Sequence, residues 1–210
     1  MEAQTGIVVF GDVVASRRDP AGSTAWLRAL VAELDAAYAG ARLAPFDFTQ
    51  GDELQGLLRP AADPLLAVLR AALHPQARPM RWAVVIGVVE GGSGPATQRA
   101  GPAFLAARQA LGRARLQRVG FVAETGEPRA DRLLADLAPL LAEHLDGLTV
   151  RQREVARLAL LDGLRQAEIA DRLGIARATV TVIAARARLR SLGRLTTALR
   201  TLLAEGAAAG

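Results

Sequence analysis

Segment 148–190 constrains the fold more than any other stretch, because it fixes where helices can cross. It reads "LTVRQREVARLALLDGLRQAEIADRLGIARATVTVIAARARLR". Gly174 suits the left-handed position of a tight turn, with the small Ala170 four residues before it and the apolar Val180 and Ile183 six and nine after it. A helix-turn-helix needs a small residue where two helices cross, a glycine in the turn and apolar anchors under the next helix. The segment therefore predicts this motif.

Helix limits in this region follow from capping and periodicity. Thr149 and Gln152 have the spacing of a capping box, which predicts the start of the first helix. Further helices are predicted at about 165–173, 177–190 and 193–206. The tail beyond them, rich in glycine and alanine, is expected to be disordered.

Charge is unevenly distributed along the chain. Residues 147–210 hold 11 Arg against 5 acidic residues, a net charge of +6, whereas residues 1–146 hold 15 Arg against 16, a net charge of −1. There is no lysine. A basic second module indicates a polyanionic partner.

The helical segment resembles LuxR-type and sigma-factor region-four domains, whose pattern it follows from Leu148 to Val180. The resemblance implies binding to double-stranded DNA. Base contacts would come from Arg177, Ala178, Thr179, Thr181 and Val182, and phosphate contacts from Arg186, Arg188 and Arg190. Two features depart from the pattern: Ala176 replaces the usual capping serine, and the middle of the third helix is uncharged. The alternative is a three-helix interaction module that does not touch DNA.

The front of the chain alternates strand-like and helix-like segments. Strands are predicted in "GIVVFGDVVAS", at about 44–49 and 54–58, in "MRWAVVIGVVE" and in "RVGFVAET"; helices are predicted in "STAWLRALVAELDAAY", "ADPLLAVLRAAL" and "PAFLAARQALGRA". This order predicts a ferredoxin-like α+β domain followed by an all-α domain. In that topology the first strand lies between the third and the fourth and is antiparallel to the third.

Three carboxylates should therefore meet at one end of the sheet. Asp12 lies on the first strand, and Asp52 and Glu53 open the third. Such a group suits a divalent cation such as Mg²⁺ or Mn²⁺, which in phosphoryl transfer binds phosphate oxygens. The alternative is that Asp12 and Asp52 only cap turns.

The motifs "VVFGDVVASR", "QGDELQGLL", "RWAVVIGVVEGG" and "GPAFLAARQAL" resemble, in this order, the SatD family. More distantly they resemble nucleotidyl cyclases and GGDEF diguanylate cyclases. The resemblance implies a cyclase-like palm fold in which Asp12 and Asp52 match the two metal positions, and Glu53 the metal-binding glutamate of GGDEF domains.

The departures from the cyclase pattern concern the catalytic groups. Phe48 stands where the base-selecting lysine is usual, Phe104 stands at the transition-state asparagine, and Ala100 replaces an aspartate. Charge stabilisation is usually the largest catalytic term, so we expect a nucleotide or phosphorylated ligand to bind without turnover. Candidate phosphate contacts are Arg17, Arg18, Arg99 and Arg108, near a glycine-rich loop at 91–101 that would floor the pocket. Their alternative role is that of solvated surface arginines.

Three segments make up the predicted organisation. They are a cyclase-like domain at 1–128, a connector helix at 129–146 and the helix-turn-helix domain at 147–210. The connector has a leucine stripe at Leu133, Leu134, Leu137, Leu140 and Leu141. It is either a connector that also contributes to a dimer contact or a helix that closes the core of the first domain.

Composition excludes several classes of function. The absence of cysteine excludes disulfides, thiolate metal sites and a cysteine nucleophile, and two histidines make a zinc site or a serine–histidine mechanism a poor interpretation. No apolar run has the length of a membrane span, and no signal peptide is evident. We expect a cytoplasmic homodimer without membrane contact.

Together these features predict a transcription regulator with a degenerate cyclase-like sensor. The alternative is an active, metal-dependent nucleotidyl cyclase with an accessory DNA-binding domain. A third interpretation makes the front domain only a dimerisation platform.

Overall fold

A computed structural model of the chain describes residues 3–49 and 52–209. Its strands are β1 (Ala3–Val13), β2 (Arg42–Phe48), β3 (Glu53–Leu58), β4 (Met80–Glu90) and β5 (Phe121–Glu124). Its helices are α1 (Pro20–Ala37), α2 (Leu65–Ala72), α3 (Pro102–Gln117), α4 (Pro128–Asp146), α5 (Val150–Leu160), α6 (Gln166–Leu173), α7 (Arg177–Arg186) and α8 (Leu189–Ala209). In the described part of the chain, none of these helices has the length and apolar character needed to cross a bilayer.

The five strands form one sheet in the order β2-β3-β1-β4-β5. β1 is antiparallel to both β3 and β4, and β5 is added parallel to β4. The prediction that the first strand lies between the third and the fourth is confirmed. The front domain is thus a ferredoxin-like α+β fold with a fifth strand, followed by an all-α region.

The sheet is covered on both faces. Alternate residues of β1 point to opposite sides: Ile7 and Val9 join the core beneath α1, α2 and α4, while Val8 and Phe10 join the core beneath α3. All four side chains are buried. A strand covered on both faces needs a continuous apolar run, and "GIVVF" supplies it.

Helix α4 packs against β5 and α8. Its Leu134 and Leu141 are fully buried in the same core as the sheet, whereas Leu133 and Leu140 remain 46% and 51% exposed. The helix therefore closes the core of the front domain, the second of the two roles expected for this segment.

Helices α5, α6 and α7 form the predicted helix-turn-helix. Both hydrogen bonds of the Thr149–Gln152 capping box are present, and Gly174 has the left-handed conformation with φ 63°. Ala170 and Val180 are buried in a small separate core. The glycine turn and apolar anchors thus have the positions that their spacing predicts.

Two helix limits differ from the prediction. The third helix ends at Arg186 rather than at about 190, because Arg188 adopts a left-handed conformation (φ 48°) and α8 begins immediately after it. The tail predicted to be disordered is helical to Ala209. Burial of Leu199 and Leu203 in the sheet's core anchors α8, which then continues to the end of the described residues.

Polar contacts also join the helical region to the front domain. Glu33 Oε1 of α1 accepts hydrogen bonds from Arg70 Nη1 of α2 (2.7 Å) and from Arg157 Nη2 of α5 (2.9 Å). Arg200 Nε of α8 donates to Asp63 Oδ2 at 2.7 Å. The helical region is therefore held against α1 and against the segment before α2 by charged pairs, as well as by the shared core.

We predict opposite effects for two helical Gly→Ala changes. A Cβ at Gly206 would lie 2.3 Å from the Cβ of Thr125, whose hydroxyl is held by Asp131, so Gly206→Ala should destabilise the protein by about 1–3 kcal/mol. A Cβ at Gly112 would meet nothing within 4 Å, so Gly112→Ala should stabilise it by about 0.5–1 kcal/mol. Thermal unfolding of both variants measures these changes in stability. Equal stability of the two variants would contradict the docked α8 terminus.

We also predict that the Glu33 contact loses strength at acid pH. Burial opposes the charge of Glu33, but the hydrogen bonds from Arg157 and Arg70 outweigh it and lower the pKa of this carboxyl below its ordinary 4.5. A lowered pKa means that the stabilisation is present above pH 4.5 and is lost as the pH falls through the folded-state value. Glu33→Gln should therefore cost about 1 kcal/mol at pH 7, and the difference from the parent should shrink below pH 4.

Glu154→Gln is the matched control for this experiment. Glu154 pairs with Arg151 on the exposed face of α5, within one helix, so its loss should change stability by a few tenths of a kcal/mol at most. Urea unfolding at several pH values measures both variants. A Glu33→Gln deficit that does not change with pH would contradict the ionic origin of the contact.

Candidate functional sites

One end of the sheet carries the three predicted carboxylates. Asp12, near the end of β1, lies opposite Glu53 on β3 and opposite Arg81 on β4. Val13 N donates to the backbone oxygen of Asp52 at 3.4 Å. The strand order thus brings residues forty apart in sequence to the same end of the sheet.

The carboxylate of Asp12 is held by an arginine from α3. Arg115 Nε donates to Oδ2 at 3.0 Å and Arg115 Nη2 donates to Oδ1 at 2.8 Å, a bidentate pair. The Asp12 side chain is only 10% exposed, and Arg81 Nη1 lies 3.8 Å from its Oδ2. The hydrogen bonds to Asp12 raise the pKa of the Arg115 guanidinium above its ordinary value.

The other two carboxylates also have partners. Ser16 Oγ donates to Asp52 Oδ2, and Gln55 Nε2 donates to Glu53 Oε1 at 2.9 Å. Glu53 Oε2 lies 3.8 Å from Arg115 Nη2, so one guanidinium nitrogen is close to both Asp12 and Glu53. Each acidic side chain therefore has a polar partner: an arginine for Asp12, a serine for Asp52 and a glutamine for Glu53.

Backbone strain is concentrated at this end of the sheet. Asp52 has φ 153° and Ala15 has φ 58°, conformations that residues with a Cβ rarely adopt. The Ser16–Asp52 hydrogen bond joins the two strained segments. Strained non-glycine residues cluster at ligand sites more often than elsewhere, so their presence beside three carboxylates marks this as the candidate site of the front domain.

The side chains of this end, as arranged, do not fit a metal ion. Within residues 3–49 and 52–209, no group of three or more His, Cys, Asp or Glu residues is arranged to hold one. The bidentate Asp12–Arg115 pair uses both oxygens of the carboxylate that matches the first cyclase metal position. Binding of Mg²⁺ or Mn²⁺ at Asp12, Asp52 and Glu53 stays a prediction.

Three of the four predicted phosphate arginines lie at or beside this end. Arg108 is 68% exposed, with its Nη2 4.0 Å from Glu53 Oε1 and its guanidinium 5.9 Å from the ring centre of Phe10. Arg17 and Arg18 are exposed in the 3-10 turn that begins with Ser16. All three are available to an anionic ligand.

Arg99 is not brought to this site. A Cβ on Gly92 would lie 2.6 Å from Arg99 Nη1, which places the guanidinium beside the loop that follows Glu90. Glu90 lies opposite Ala3 at the far end of β1, roughly 30 Å along the strands from Asp12. The end of this loop also lies beside Glu90, because Glu90 N donates a hydrogen bond to Ala100 O at 3.0 Å.

The middle of this loop lies against β2. Thr97 Oγ1 donates to Asp47 Oδ2 on β2 at 2.6 Å, and Ala96 is buried in the core beneath α3. Asp47 pairs with Gln55 of β3, and Gln55 pairs with Phe10 of β1, so the middle of the loop reaches the sheet two residues from the Asp12–Glu53 pair, while both ends of the loop lie beside Glu90. That loop 91–101 floors a pocket containing Asp12 stays a prediction.

The aromatic departures from the cyclase pattern have packing roles. Phe104 stacks edge-on against Phe10 with ring centres 5.9 Å apart and is almost completely buried. Phe48 packs against the core on the other face of the sheet. Phe104 thus fills the core at a position where the nucleotidyl cyclase pattern has a polar catalytic asparagine.

Sequence reasoning missed Arg115 and Arg81. Arg115 could have been predicted from helix periodicity. It lies seven residues after Arg108, two turns along the same face of α3, so both guanidinium groups can reach the same end of the sheet. Arg81 could have been found from the antiparallel pairing, since the start of β4 must lie beside the end of β1. Neither residue belongs to a motif.

The second candidate site is the outer face of α7. Arg177, Ala178, Thr179, Thr181 and Val182 are all exposed, while Val180 points into the core. Thr181 Oγ1 is held 3.0 Å from Gln166 Oε1 of α6. No side chain caps the start of α7, as expected from Ala176. The five predicted base-contacting residues therefore form one accessible surface.

The predicted phosphate arginines lie next to this surface. Arg186, Arg188 and Arg190 are exposed, but only Arg186 belongs to α7. Arg188 lies in the left-handed turn and Arg190 in the first turn of α8. The three charges thus follow the bend between two helices and not one helix face.

Residues 140–190 match the family model "Sigma-70, region 4". The match begins in the last turns of α4 and ends at the start of α8, so it contains the whole helix-turn-helix. No curated protein matches the chain. The proposed SatD resemblance is not confirmed by these comparisons.

Part of the chain is similar to two solved structures of a bacterial light-regulated adenylyl cyclase. The first is 14% identical, with a TM-score of 0.43, covering 59% of this chain and 77% of that one. The second is also 14% identical, with a TM-score of 0.40, covering 58% of this chain and 43% of that one.

Proposed function

We propose that the protein is a DNA-binding transcription regulator whose front domain is a degenerate cyclase-like sensor for a nucleotide or another phosphorylated ligand. The observation that carries the proposal is the exposed face of α7 within a region that matches sigma-70 region 4. In such a motif the recognition helix enters the major groove. We place this activity in the cytoplasm, where the DNA would be.

The surface of the helix-turn-helix that would face DNA has two groups of residues, one for contacts with bases and one for contacts with phosphates. Arg177, at the start of α7, is the candidate for bidentate contact with a guanine, and Val182 can touch a thymine methyl. Arg186, Arg188 and Arg190 would contact phosphates, which position the protein without reading sequence. The net charge of +6 on residues 147–210 favours this partner.

The sensor function is supported by the acidic end of the sheet. Arg17, Arg18 and Arg108 are exposed near Asp52 and Glu53, and strained backbone lies between them. Phe104 offers no hydrogen bond to a transition state. These features favour binding of a phosphorylated ligand over its conversion.

Communication between the two sites would pass through the docked helices. A ligand can change DNA affinity only if it binds two arrangements of the protein with different affinities. The Glu33–Arg157 pair and helix α8 link the front domain to the helix-turn-helix. Two arrangements of the protein would therefore differ in these contacts. We also propose a homodimer, with half-sites about one helical turn or a multiple of it apart.

The alternative function is an active metal-dependent nucleotidyl cyclase with an accessory DNA-binding domain. The approach of Asp12, Asp52 and Glu53 to one end of the sheet favours it, because two-carboxylate metal sites support phosphoryl transfer. A front domain that serves only as a dimerisation platform would need neither metal nor nucleotide.

We predict that two arginines of the helix-turn-helix contribute differently to DNA affinity. Arg177→Ala should weaken binding to a selected operator by about 1–3 kcal/mol while changing binding to random duplex much less. Arg186→Ala should weaken binding to both sequences alike and reduce the salt slope by about one. Operators can be selected from a random duplex library, and affinities measured by fluorescence anisotropy over a range of salt concentrations.

Arg28→Ala is the matched control for these variants. It removes the same charge from an exposed position of α1, outside the region 140–190 that matches sigma-70 region 4, and should leave both affinities unchanged. Absence of duplex binding by the full-length protein at low salt would refute the regulator function.

For the sensor we predict a ligand effect that depends on Asp12. ATP and GTP, each tested with and without Mg²⁺ or Mn²⁺, should change operator affinity if either occupies the site, and Asp12→Ala should abolish that change without altering ligand-free affinity. Mass spectrometry of the same mixtures should show the triphosphate intact. A cyclic or linear dinucleotide product, or a cyclic mononucleotide, would instead establish the cyclase alternative.

A further inference from the structure

We propose that Arg115 is a built-in cation of the front domain, occupying with its guanidinium the position between Asp12 and Glu53 that a divalent ion would take. The inference deepens the proposed sensor function, because it makes binding of a phosphorylated ligand independent of metal.

Arg115 contacts both oxygens of Asp12 and also lies close to Glu53. Two of its nitrogens contact the two oxygens of Asp12 at 3.0 and 2.8 Å, and Nη2 lies 3.8 Å from Glu53 Oε2. Fork-to-fork pairing of this kind is the strongest arginine–carboxylate arrangement and is fixed in direction. A metal ion bound to Asp12 would have to displace this guanidinium.

The helix that carries Arg115 is anchored by its opposite face. Ala107, Ala110, Leu111 and Ala114 are buried against the sheet, so the last turn of α3 cannot rotate without opening that core. Arg115 is therefore presented to the end of β1 by packing, across 103 residues of sequence. Its charge is permanent, because guanidinium does not lose its proton in proteins.

Charge at this end of the sheet then favours an anion. Asp12, Asp52 and Glu53 carry three negative charges, whereas Arg17, Arg18, Arg81, Arg108 and Arg115 carry five positive ones. Arg115 and Arg81 neutralise Asp12, while Arg108 keeps most of its surface in solvent. Pyrophosphate or a nucleoside polyphosphate can therefore find unsatisfied donors here without bringing a metal.

The decisive experiment measures Mn²⁺ binding by electron paramagnetic resonance on the full-length protein. The parent protein should bind no Mn²⁺ at this site up to millimolar concentration. Arg115→Ala should bind Mn²⁺ at least tenfold more tightly than the parent, because Asp12 and Glu53 lose their cation. The double variant Arg115→Ala, Asp12→Asn should lose this gain.

Arg113→Ala is the matched control. Arg113 lies two residues earlier on α3, has similar exposure and pairs with Glu124 of β5 instead of Asp12. It should leave Mn²⁺ binding at the level of the parent. Arg115→Gln keeps more of the side chain's packing and should show the same gain in Mn²⁺ affinity if the alanine variant folds poorly.

Calorimetry with pyrophosphate separates this inference from the proposed function. With the parent protein, pyrophosphate should bind in EDTA, with no divalent ion present. Mn²⁺ binding by the parent that is lost in Asp12→Asn, or no gain in either Arg115 variant, would overturn the assignment of Arg115. Failure of pyrophosphate and nucleotides to bind, with the Mn²⁺ results as expected, would reject the sensor function and leave that assignment intact.

Discussion

Strand β1 determines the rest of the structure because it pairs along both edges. Its register with β3 and β4 places Asp12 opposite Glu53 and Arg81 at the same time. A shift of one residue would turn every side chain of β1 to the opposite face, so that Val8 and Phe10 would enter the core beneath α1, α2 and α4 instead of the core beneath α3. The register therefore fixes which side chains fill each core and which charges meet at the end of the sheet.

The same core extends into the helical region. Leu192, Leu199 and Leu203 of α8 and Ala156 of α5 lie in one cluster with residues of β1, α1 and α4, while Val155, Ile169 and Val180 belong to a second, small core inside the helix-turn-helix. The helix-turn-helix is thus held against the front domain by α8, by one face of α5 and by the Glu33–Arg157 pair. Breaking the Glu33–Arg157 contact costs far less than opening the core, which makes that contact the easier place for a change of arrangement.

How much could be predicted from the sequence depends on the range of the interaction. The helix-turn-helix could be predicted, because the capping box at Thr149 and the turn glycine Gly174 are local signals. The strand order could be predicted, because the alternation of strands and helices along the chain matches a ferredoxin-like topology. The placement of Arg99 could not, since it depends on where a loop is anchored. Nor could the break at Arg188, because an arginine in left-handed conformation has no sequence signature.

Arg115 shows the same limit at the candidate site itself. Three carboxylates in a cyclase-like order suggest a metal, and only the three-dimensional structure reveals that an arginine 103 residues away reaches the first of them. The residues around the carboxylates are consistent with an arginine in place of a metal ion. Phe104 packs edge-on against Phe10, and the guanidinium of Arg108 lies over the Phe10 ring, so the carboxylates are surrounded by packed aromatic and guanidinium groups. A metal-dependent site needs free carboxylate oxygens, whereas both oxygens of Asp12 hold Arg115, and the exposed arginines beside this pair suit an anionic partner.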